Sequence, residues 1–228
     1  MGLGVRQGWR AVWTKICGIR DPAVLEWLLP LAPSAIGLNF FPSSPRFVSP
    51  EVARDIASRL PPHIESVGVF VNVTAPEAAG IAEMVGLNRV QFHGDDPPAL
   101  LAEFQRLCPT ASIIRAARMP VEGLAGLAAY LDECRNLGVV LSACLIDAYV
   151  TGHYGGTGTV VSWDKLRQDY RTREWPPLIL AGGLTAGNVA AAIRTVKPWG
   201  VDVASGVESS PGVKDRTLTE RFLAAARG

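Results

Sequence analysis

The chain has 228 residues, 48% of them hydrophobic, with 22 basic and 21 acidic residues and a formal net charge of +1. This length and apolar content suffice for one large domain with a buried core, and the charges are dispersed without the basic excess of a nucleic-acid-binding protein. The composition therefore favours a small molecule as the partner and argues against nucleic acid.

The cysteines and the apolar runs bear on the compartment in which the protein works. Cys17, Cys108, Cys134 and Cys144 form no CxxC pair, which favours reduced thiols over disulfides or a structural metal site. The sequence shows no signal-peptide pattern and no apolar run of the roughly 20 residues that span a bilayer. We therefore expect a cytoplasmic protein without a metal or a membrane partner.

In chain order, short apolar segments alternate with helical patterns. The predicted strands are residues 13–17, 35–40, 67–72, 89–92, 113–116, 141–147, 178–181 and 200–205. Their continuous apolar character is typical of strands buried on both faces of a parallel sheet. Cap patterns mark the starts of several intervening helices. The predicted capping residues are Asp21, Ser49, Thr74 and Asp96, and the eighth helix is predicted to begin near Thr217.

Eight strand and helix units in this order predict an α/β fold, a single-domain (β/α)8 TIM barrel over residues 13–228 after an N-terminal extension, residues 1–12. A doubly wound open sheet is the structural alternative. Its usual GxGxxG fingerprint is missing after the first strand, where the sequence reads CGIR. The barrel is therefore the favoured architecture.

Glycine-rich loops follow the sixth, seventh and eighth predicted strands. Such loops let backbone N–H groups approach an anion, and a following helix N-terminus adds a favourable dipole. In parallel α/β barrels the loops after the last two strands commonly bind phosphate. The predicted phosphate-binding residues are Gly156, Gly158, Gly182, Gly183, Ser205 and Gly206.

Two reactive side chains end predicted strands, where they would face the barrel mouth. Cys17 ends the first strand, although most free cysteines are small buried hydrophobes. Asp147 ends the sixth strand and is either an exposed loop carboxylate or a general acid whose pKa is raised by burial. Position alone leaves both interpretations open for Cys17, and it favours a site role for Asp147.

Other polar residues near strand ends also have more than one interpretation. Arg46, in the loop after the second strand, is either a solvated charge or a bidentate ligand for a carboxylate. His93 is a base, a ligand or, as is more common at such a position, a structural residue. Lys15 and Asp202 fall in the first and eighth strands, which are neighbours in a closed barrel, so we expect an internal ion pair.

Motifs along residues 14–215 together resemble those of phosphoribosylanthranilate isomerase, an enzyme of tryptophan biosynthesis. They are residues 15–18 (KICG), 37–40 (GLNF) with 44–46 (SPR), 67–72 (VGVFVN), 90–94 (VQFHG), 145–147 (LID) with 155–158 (GGTG), 180–184 (LAGGL) with 188–189 (NV), and 201–208 (VDVASGVE) with 211–215 (PGVKD). Ala204 stands where the family commonly has serine, whereas Ser205 and Gly206 match.

The resemblance implies a barrel that converts N-(5-phosphoribosyl)anthranilate into 1-(2-carboxyphenylamino)-1-deoxyribulose 5-phosphate by an Amadori rearrangement. It implies no cofactor and no metal, phosphoribosylanthranilate as the small-molecule substrate, and a monomer or homodimer. Carried over residue by residue, it implies Cys17 as general base, Asp147 as general acid and Arg46 as ligand of the anthranilate carboxylate.

Three alternatives remain at this stage. A neighbouring phosphate-binding barrel, such as an indole-glycerol-phosphate synthase or a sugar-phosphate epimerase, is disfavoured because no lysine base cluster or metal-ligand histidine set is present. A bifunctional isomerase that also acts on the histidine-pathway substrate is disfavoured by Cys17 in the first strand. A non-catalytic barrel that only binds phosphate ligands is disfavoured by the intact Cys17, Asp147 and Arg46.

Overall fold

The computed structural model describes residues 12–119, 123–148 and 163–228. Within these ranges eight parallel strands pair in sequence order, and the last strand pairs with the first, so the sheet is a closed barrel. The predicted (β/α)8 architecture is confirmed. The strands are β1 (Trp13–Cys17), β2 (Ala35–Asn39), β3 (Glu65–Phe70), β4 (Arg89–Phe92), β5 (Ser112–Arg118), β6 (Leu141–Asp147), β7 (Leu178–Ala181) and β8 (Gly200–Val203).

Four strands begin and end at the predicted residues, namely β1, β4, β6 and β7. The predicted β2, β3 and β8 continue past the observed strand ends, whereas the observed β5 is longer than predicted at both ends. After β3, Asn72 adopts a positive φ of 52°. After β8, Ala204 leaves the extended conformation and a 3-10 turn spans Ser205–Val207. The segment that carries Ser205 is therefore a loop and not strand, which places its backbone at the barrel mouth.

Helices surround the barrel and alternate with its strands. They are α1 (Leu25–Leu28), α2 (Pro50–Ser58), α3 (Ala75–Val85), α4 (Pro98–Leu107), α5 (Ala125–Asn136), α6 (Trp163–Asp169), α7 (Val189–Val196) and α8 (Arg216–Arg227). Between β8 and α8 the chain forms a small antiparallel hairpin of β9 (Glu208–Ser210) and β10 (Val213–Lys214). This hairpin was not predicted, and it contributes two residues beside the site.

Capping side chains fix several helix starts. Ser49 accepts a hydrogen bond from the backbone of α2, and Thr74 forms the predicted capping box with Glu77 at the start of α3. The eighth helix begins at Arg216, near Thr217 as predicted, and its cap is Asp215. The Asp215 carboxylate accepts from the Leu218 backbone N–H at 2.8 Å, and an anion is favoured at a helix N-terminus.

Asp96 was predicted to cap α4, and that prediction is wrong. The cap position is Pro97, which forms no side-chain cap bond. Asp96 is instead buried, accepts a hydrogen bond from the Gly94 backbone at 2.9 Å and lies 3.7 Å from Arg115 Nη1. A buried carboxylate needs a charge or hydrogen-bond partner, and Arg115 of β5 supplies one from a distant part of the sequence.

The barrel interior is filled mainly by small and branched apolar side chains, with one ion pair among them. Lys15 of β1 is fully buried, and its Nζ lies 3.0 Å from Asp202 Oδ1 of β8. The two residues are aligned by the parallel register of the strands that close the barrel. The predicted internal pair is confirmed. Lys15 is two residues before Cys17, which ends β1. The Lys15 and Asp202 pair therefore lies directly below the strand ends.

The described residues also bear on several expectations about partners. Among residues 12–119, 123–148 and 163–228, no helix is both long and apolar enough to cross a membrane. In the same ranges no three His, Cys, Asp or Glu side chains cluster in a way that could hold a metal ion. Residues 1–11 lie outside the described part of the chain, so the division into an extension (1–12) and a barrel (13–228) stays a prediction.

Candidate active site

A cavity of about 360 Å³ opens at the carboxyl ends of the strands. It brings together the predicted site residues from β1, the loop after β2, β6 and the loops after β7 and β8. The lining residues are Cys17, Asn39, Arg46, Val69, Gln91, His93, Leu145, Asp147, Ala181, Gly182, Gly183, Leu184, Asp202, Val203, Ala204, Ser205 and Gly206. Every predicted site residue inside the described ranges is therefore at one cavity.

Gly156 and Gly158 lie outside the described residues, as does His153. The contribution of the glycine-rich loop after β6 to phosphate binding therefore stays a prediction. The two other glycine loops, after β7 and β8, are both described and both line the cavity.

Cys17 ends β1 and is 8% exposed, with its thiol against the neighbouring strand β2. A Cβ at Gly37 would come within 2.7 Å of Cys17 Sγ, so the neighbouring strand leaves room for the thiol only because it carries glycine there. Since Cys17 lines the cavity, it combines the buried environment of an ordinary core cysteine with access to a bound molecule.

The charges around Cys17 act in opposite directions on its ionisation. Burial raises the pKa of the Cys17 thiol, and the positive charges of Lys15 and Lys214 oppose that effect only in part. Burial alone would lower the pKa of Lys15, but Asp202 and Cys17 outweigh it and the pKa is raised, so Lys15 stays charged. The thiol is therefore the favoured form of Cys17, and Lys15 and Lys214 are placed to stabilise a thiolate.

Asp147 ends β6 and is half-buried at the cavity wall, on a strand well separated from β1 around the barrel. His93, just after β4, lines the same cavity. Burial lowers the pKa of His93, and the negative charge of Asp147 opposes that effect. His93 is therefore neutral near pH 7, and its Nδ1 lies 3.4 Å from Gln91 Nε2.

Arg46 is held at the cavity by an acidic residue from the far end of the chain. Its Nε and Nη2 donate to Glu208 Oε1 and Oε2 at 2.8 and 2.7 Å, and the Glu208 side chain is 3% exposed. The stem of Arg46 packs on the backbone of Gly18, where a Cβ would approach Arg46 Cδ to 2.6 Å. Arg46 is thus an ordered group with a fixed orientation and not a solvated loop charge.

The loop after β7 is shaped by two glycines with positive φ, 93° at Gly182 and 61° at Gly183, a region that favours glycine. Asn188 closes this loop, because its side chain accepts from the Thr185 N–H at 2.8 Å and donates to the Gly183 carbonyl at 2.9 Å. The loop conformation is therefore determined by local side-chain to backbone bonds.

The loops after β7 and β8 are in direct contact. The backbone of Gly206 approaches the Leu184 carbonyl so closely that a Cβ at this position would overlap it. Within the described part of the chain, the backbone N–H groups of Gly183, Ser205 and Gly206 donate to no protein acceptor. Unpaired N–H groups on adjacent loops at one edge of a cavity are suited to an anion such as a phosphate.

Glu208, which binds Arg46, and Lys214, which binds Glu208, lie beside the cavity, and the sequence reasoning missed both. Both lie in motifs quoted for the resemblance, but neither received a role. Lys214 Nζ donates to Glu208 Oε1 at 2.7 Å and to the Ala204 carbonyl at 3.0 Å. The contacts depend on the β9–β10 hairpin, and the Pro211-Gly212 turn pattern at its tip was not used to predict it.

Comparisons with known proteins point to one family. The family model described as "N-(5'phosphoribosyl)anthranilate (PRA) isomerase" matches residues 14–225. An N-(5'-phosphoribosyl)anthranilate isomerase of Magnetococcus marinus is 42% identical over 217 residues, which cover 95% of this chain and 96% of the relative. One of Dechloromonas aromatica is 40% identical over 215 residues, covering 93% and 95% of the two chains.

Solved structures give the same result. The crystal structure of phosphoribosyl anthranilate isomerase from Thermotoga maritima superposes with a TM-score of 0.79 at 35% identity, covering 95% of this chain and 99% of that one. A phosphoribosyl anthranilate isomerase in complex with reduced 1-(o-carboxyphenylamino)-1-deoxyribulose 5-phosphate superposes with a TM-score of 0.78 at 34% identity and the same coverage.

Proposed function

The chain belongs to the N-(5'phosphoribosyl)anthranilate (PRA) isomerase family, and we propose that it converts N-(5-phosphoribosyl)anthranilate into 1-(2-carboxyphenylamino)-1-deoxyribulose 5-phosphate in tryptophan biosynthesis. One observation carries the proposal. A thiol, a carboxyl group, an arginine and two glycine loops from five separate segments converge on one cavity. These are the groups that an isomerisation of a phosphorylated amino sugar with a carboxylated ring requires.

The substrate is held at two ends. Its phosphate accepts hydrogen bonds from the backbone of Gly183, Ser205 and Gly206, and its anthranilate carboxylate binds the guanidinium of Arg46. Both groups line the cavity, and holding both ends turns the reaction into an oriented proton shift within one bound molecule. The predicted contribution of Gly156 and Gly158 belongs to the same phosphate site.

Asp147 acts first, as the general acid. It donates a proton to the ring oxygen of the ribose, the C1–O bond breaks, and the nitrogen lone pair forms a protonated Schiff base at C1. This step needs a carboxyl group that carries a proton and lies at the sugar. Asp147 is half-buried at the cavity wall, which is compatible with this role.

Cys17 acts second, as the general base. The Schiff base withdraws electrons from C2, and the Cys17 thiolate removes the C2 proton to give an enolamine, which tautomerises to the ketone of the product. The net reaction moves hydrogen within the substrate and needs no external oxidant or reductant. Lys15 and Lys214 lower the pKa of Cys17 against the effect of burial, so they support the thiolate at the moment it is needed.

The acid and the base must reach opposite faces of the sugar. β1 and β6 are separated by β7 and β8 in one direction around the barrel, so Cys17 and Asp147 approach a molecule at the centre from different sides. Neutral His93, between them around the mouth, is available to hydrogen-bond a sugar hydroxyl. No step is assigned to the Lys15 and Asp202 pair beyond its charge.

A coupled assay tests the proposal. Anthranilate and phosphoribosyl pyrophosphate are mixed with the transferase that joins them, and the purified protein is added. We expect the fluorescence change that accompanies conversion of phosphoribosylanthranilate, together with the aminodeoxyribulose phosphate in the product analysis. Binding of the reduced product analogue without any turnover would instead support the non-catalytic barrel.

A further inference from the structure

Arg46, Glu208 and Lys214 form an ionic cluster between the loop after β2 and the β9–β10 hairpin. We infer that Glu208 is a positioning residue that orients Arg46 toward the anthranilate carboxylate, and that Lys214 holds Glu208 in place and keeps the cluster positive. The inference rests on the proposed function, since it specifies how the same site recognises one part of that substrate.

The orientation of the Arg46 guanidinium supports a positioning role for Glu208. A guanidinium has five N–H groups in a planar fork. Glu208 occupies one edge of Arg46 by accepting from Nε and from Nη2, at 2.8 and 2.7 Å. Both N–H groups of Nη1 and one of Nη2 remain, and no described residue accepts from Nη1. They form a second two-pronged edge, which matches a carboxylate in geometry.

The net charge of the cluster supports the role of Lys214. An isolated pair of Arg46 and Glu208 would be neutral and would attract a substrate carboxylate weakly. Lys214, whose side chain is 1% exposed, adds a cation at 2.7 Å from Glu208 Oε1. Two cations and one anion leave one positive charge in excess, close to where the carboxylate binds, and such a charge is strong in a poorly solvated site.

Lys214 also contacts the backbone next to the proposed phosphate loop. Its Nζ donates to the Ala204 carbonyl at 3.0 Å, and Ala204 directly precedes Ser205 and Gly206 of the proposed phosphate loop. Lys214 therefore contacts the chain just before the proposed phosphate loop, whereas Glu208 contacts Arg46 at the proposed carboxylate end.

The ionisation of Glu208 agrees with this role. Burial alone would raise the pKa of Glu208, but hydrogen bonds from Arg46 and Lys214 outweigh it and hold the pKa below the ordinary value. Glu208 is therefore an anion at neutral pH and accepts from both partners. A neutral glutamine could accept through one oxygen only, and its amide nitrogen would face an Arg46 donor.

The experiment compares two ligands with the whole protein. The first is the reduced 1-(o-carboxyphenylamino)-1-deoxyribulose 5-phosphate, and the second is the same molecule with the ring carboxylate replaced by hydrogen. Affinities are measured by titration calorimetry for wild type, Glu208→Gln and Glu220→Gln. Glu220 is the matched control, because it accepts from Arg216 at 2.7 Å on the exposed face of α8.

We expect Glu208→Gln to weaken binding of the carboxylated ligand by about 30-fold, the scale of a lost buried charge partner. Binding of the second ligand should change by less than about 2-fold, because Arg46 has no carboxylate to meet there. Glu220→Gln should match wild type for both ligands. In the coupled assay KM should rise in Glu208→Gln by more than kcat falls, which a merely structural change would not produce.

Three results would contradict the inference or its premise. Equal weakening of both ligands by Glu208→Gln would make Glu208 a structural residue, and no weakening of either would remove it from the site. Failure of wild type to bind either ligand would instead contradict the proposed function. If Glu208→Gln does not fold, the same two affinities are measured for Glu208→Asp. Aspartate keeps the charge, but its side chain is too short to reach both Arg46 nitrogens.

Discussion

The two edges of the cavity that we propose to hold the substrate are built from different kinds of structure. The edge after β7 and β8 presents backbone N–H groups of Gly183, Ser205 and Gly206, whereas the edge beside β2 presents charged side chains of Arg46, Glu208 and Lys214. Backbone N–H groups occur all along the chain, so binding at this edge depends on the close approach of the two loops and therefore on their shape. The side-chain edge depends on charge and orientation.

The comparison predicts different responses to substitution. Changes at the backbone edge should act through steric overlap and affect any phosphorylated ligand. Changes at the side-chain edge should act through charge and affect only ligands that carry the ring carboxylate. The reacting groups between the two edges should affect turnover more than binding.

The largest effect is expected from the reacting groups. Cys17→Ala and Asp147→Asn should each lower kcat by at least about 10²-fold, the scale of a lost general acid or base, with little change in affinity for the reduced product analogue. Steady-state kinetics in the coupled assay measures this. Cys108→Ala and Asp132→Asn are the matched controls, at a buried cysteine away from the cavity and at an exposed aspartate. Turnover near wild type in either reactive variant would remove that residue from its role.

A smaller effect is expected at the backbone edge. Gly206→Ala places a methyl group against the Leu184 carbonyl, and such overpacking costs about 1–3 kcal/mol. We expect it to separate the two loops and to weaken binding of both analogues and of inorganic phosphate by about 10- to 100-fold. Gly80→Ala in α3 is the control, since a Cβ there meets nothing within 4 Å. Unchanged phosphate affinity in Gly206→Ala would contradict the assignment of this edge.

Arg46→Ala tests the side-chain edge. It should raise KM by about 10-fold or more with a smaller change in kcat, because it removes a charged hydrogen-bonding partner of the ground state and transition state alike. Inorganic phosphate should bind as in wild type. Arg59→Ala, which removes an exposed arginine paired with Asp55 on α2, serves as the control. Equal loss of phosphate affinity would show that the two edges are not independent.

The smallest effect is a change in pH dependence. The positive charge of Lys214 lowers the pKa of Cys17 against burial, so Lys214→Met should raise that pKa further. A base must be deprotonated to act, and the acid limb of kcat/KM should therefore move to higher pH. A full pH profile of kcat/KM for wild type and Lys214→Met measures the shift. A limb that stays in place or moves to lower pH would contradict the role of Cys17 as the base.

Local sequence patterns predicted the barrel because strand formation and helix capping depend on residues that are close together in the sequence. Apart from Lys15, the run at β1 is β-branched and apolar up to Gly18, and β1 has the predicted bounds. The capping box at Thr74 depends on two residues three positions apart, and it is present. Catalytic candidates were found for the same reason, since Cys17 and Asp147 end their strands.

The errors and omissions come from contacts between distant parts of the sequence. Asp96 has the sequence pattern of a cap, but Arg115 from the next strand makes a buried position more favourable for its carboxylate. Glu208 meets Arg46 across 162 positions of sequence, and no local pattern encodes that pairing. The Lys15 and Asp202 pair was the exception, because barrel closure alone makes the first and last strands neighbours.

A crystal structure with the reduced 1-(o-carboxyphenylamino)-1-deoxyribulose 5-phosphate tests the central claim most directly. The account predicts Cys17 Sγ within about 4 Å of C2, and the Asp147 carboxyl group within hydrogen-bond reach, about 3 Å, of the O4 hydroxyl on the opposite face. It also predicts the phosphate on the N–H groups of Gly183 and Gly206. A ligand bound with Cys17 and Asp147 on the same face, or with either turned away from the sugar, would contradict it.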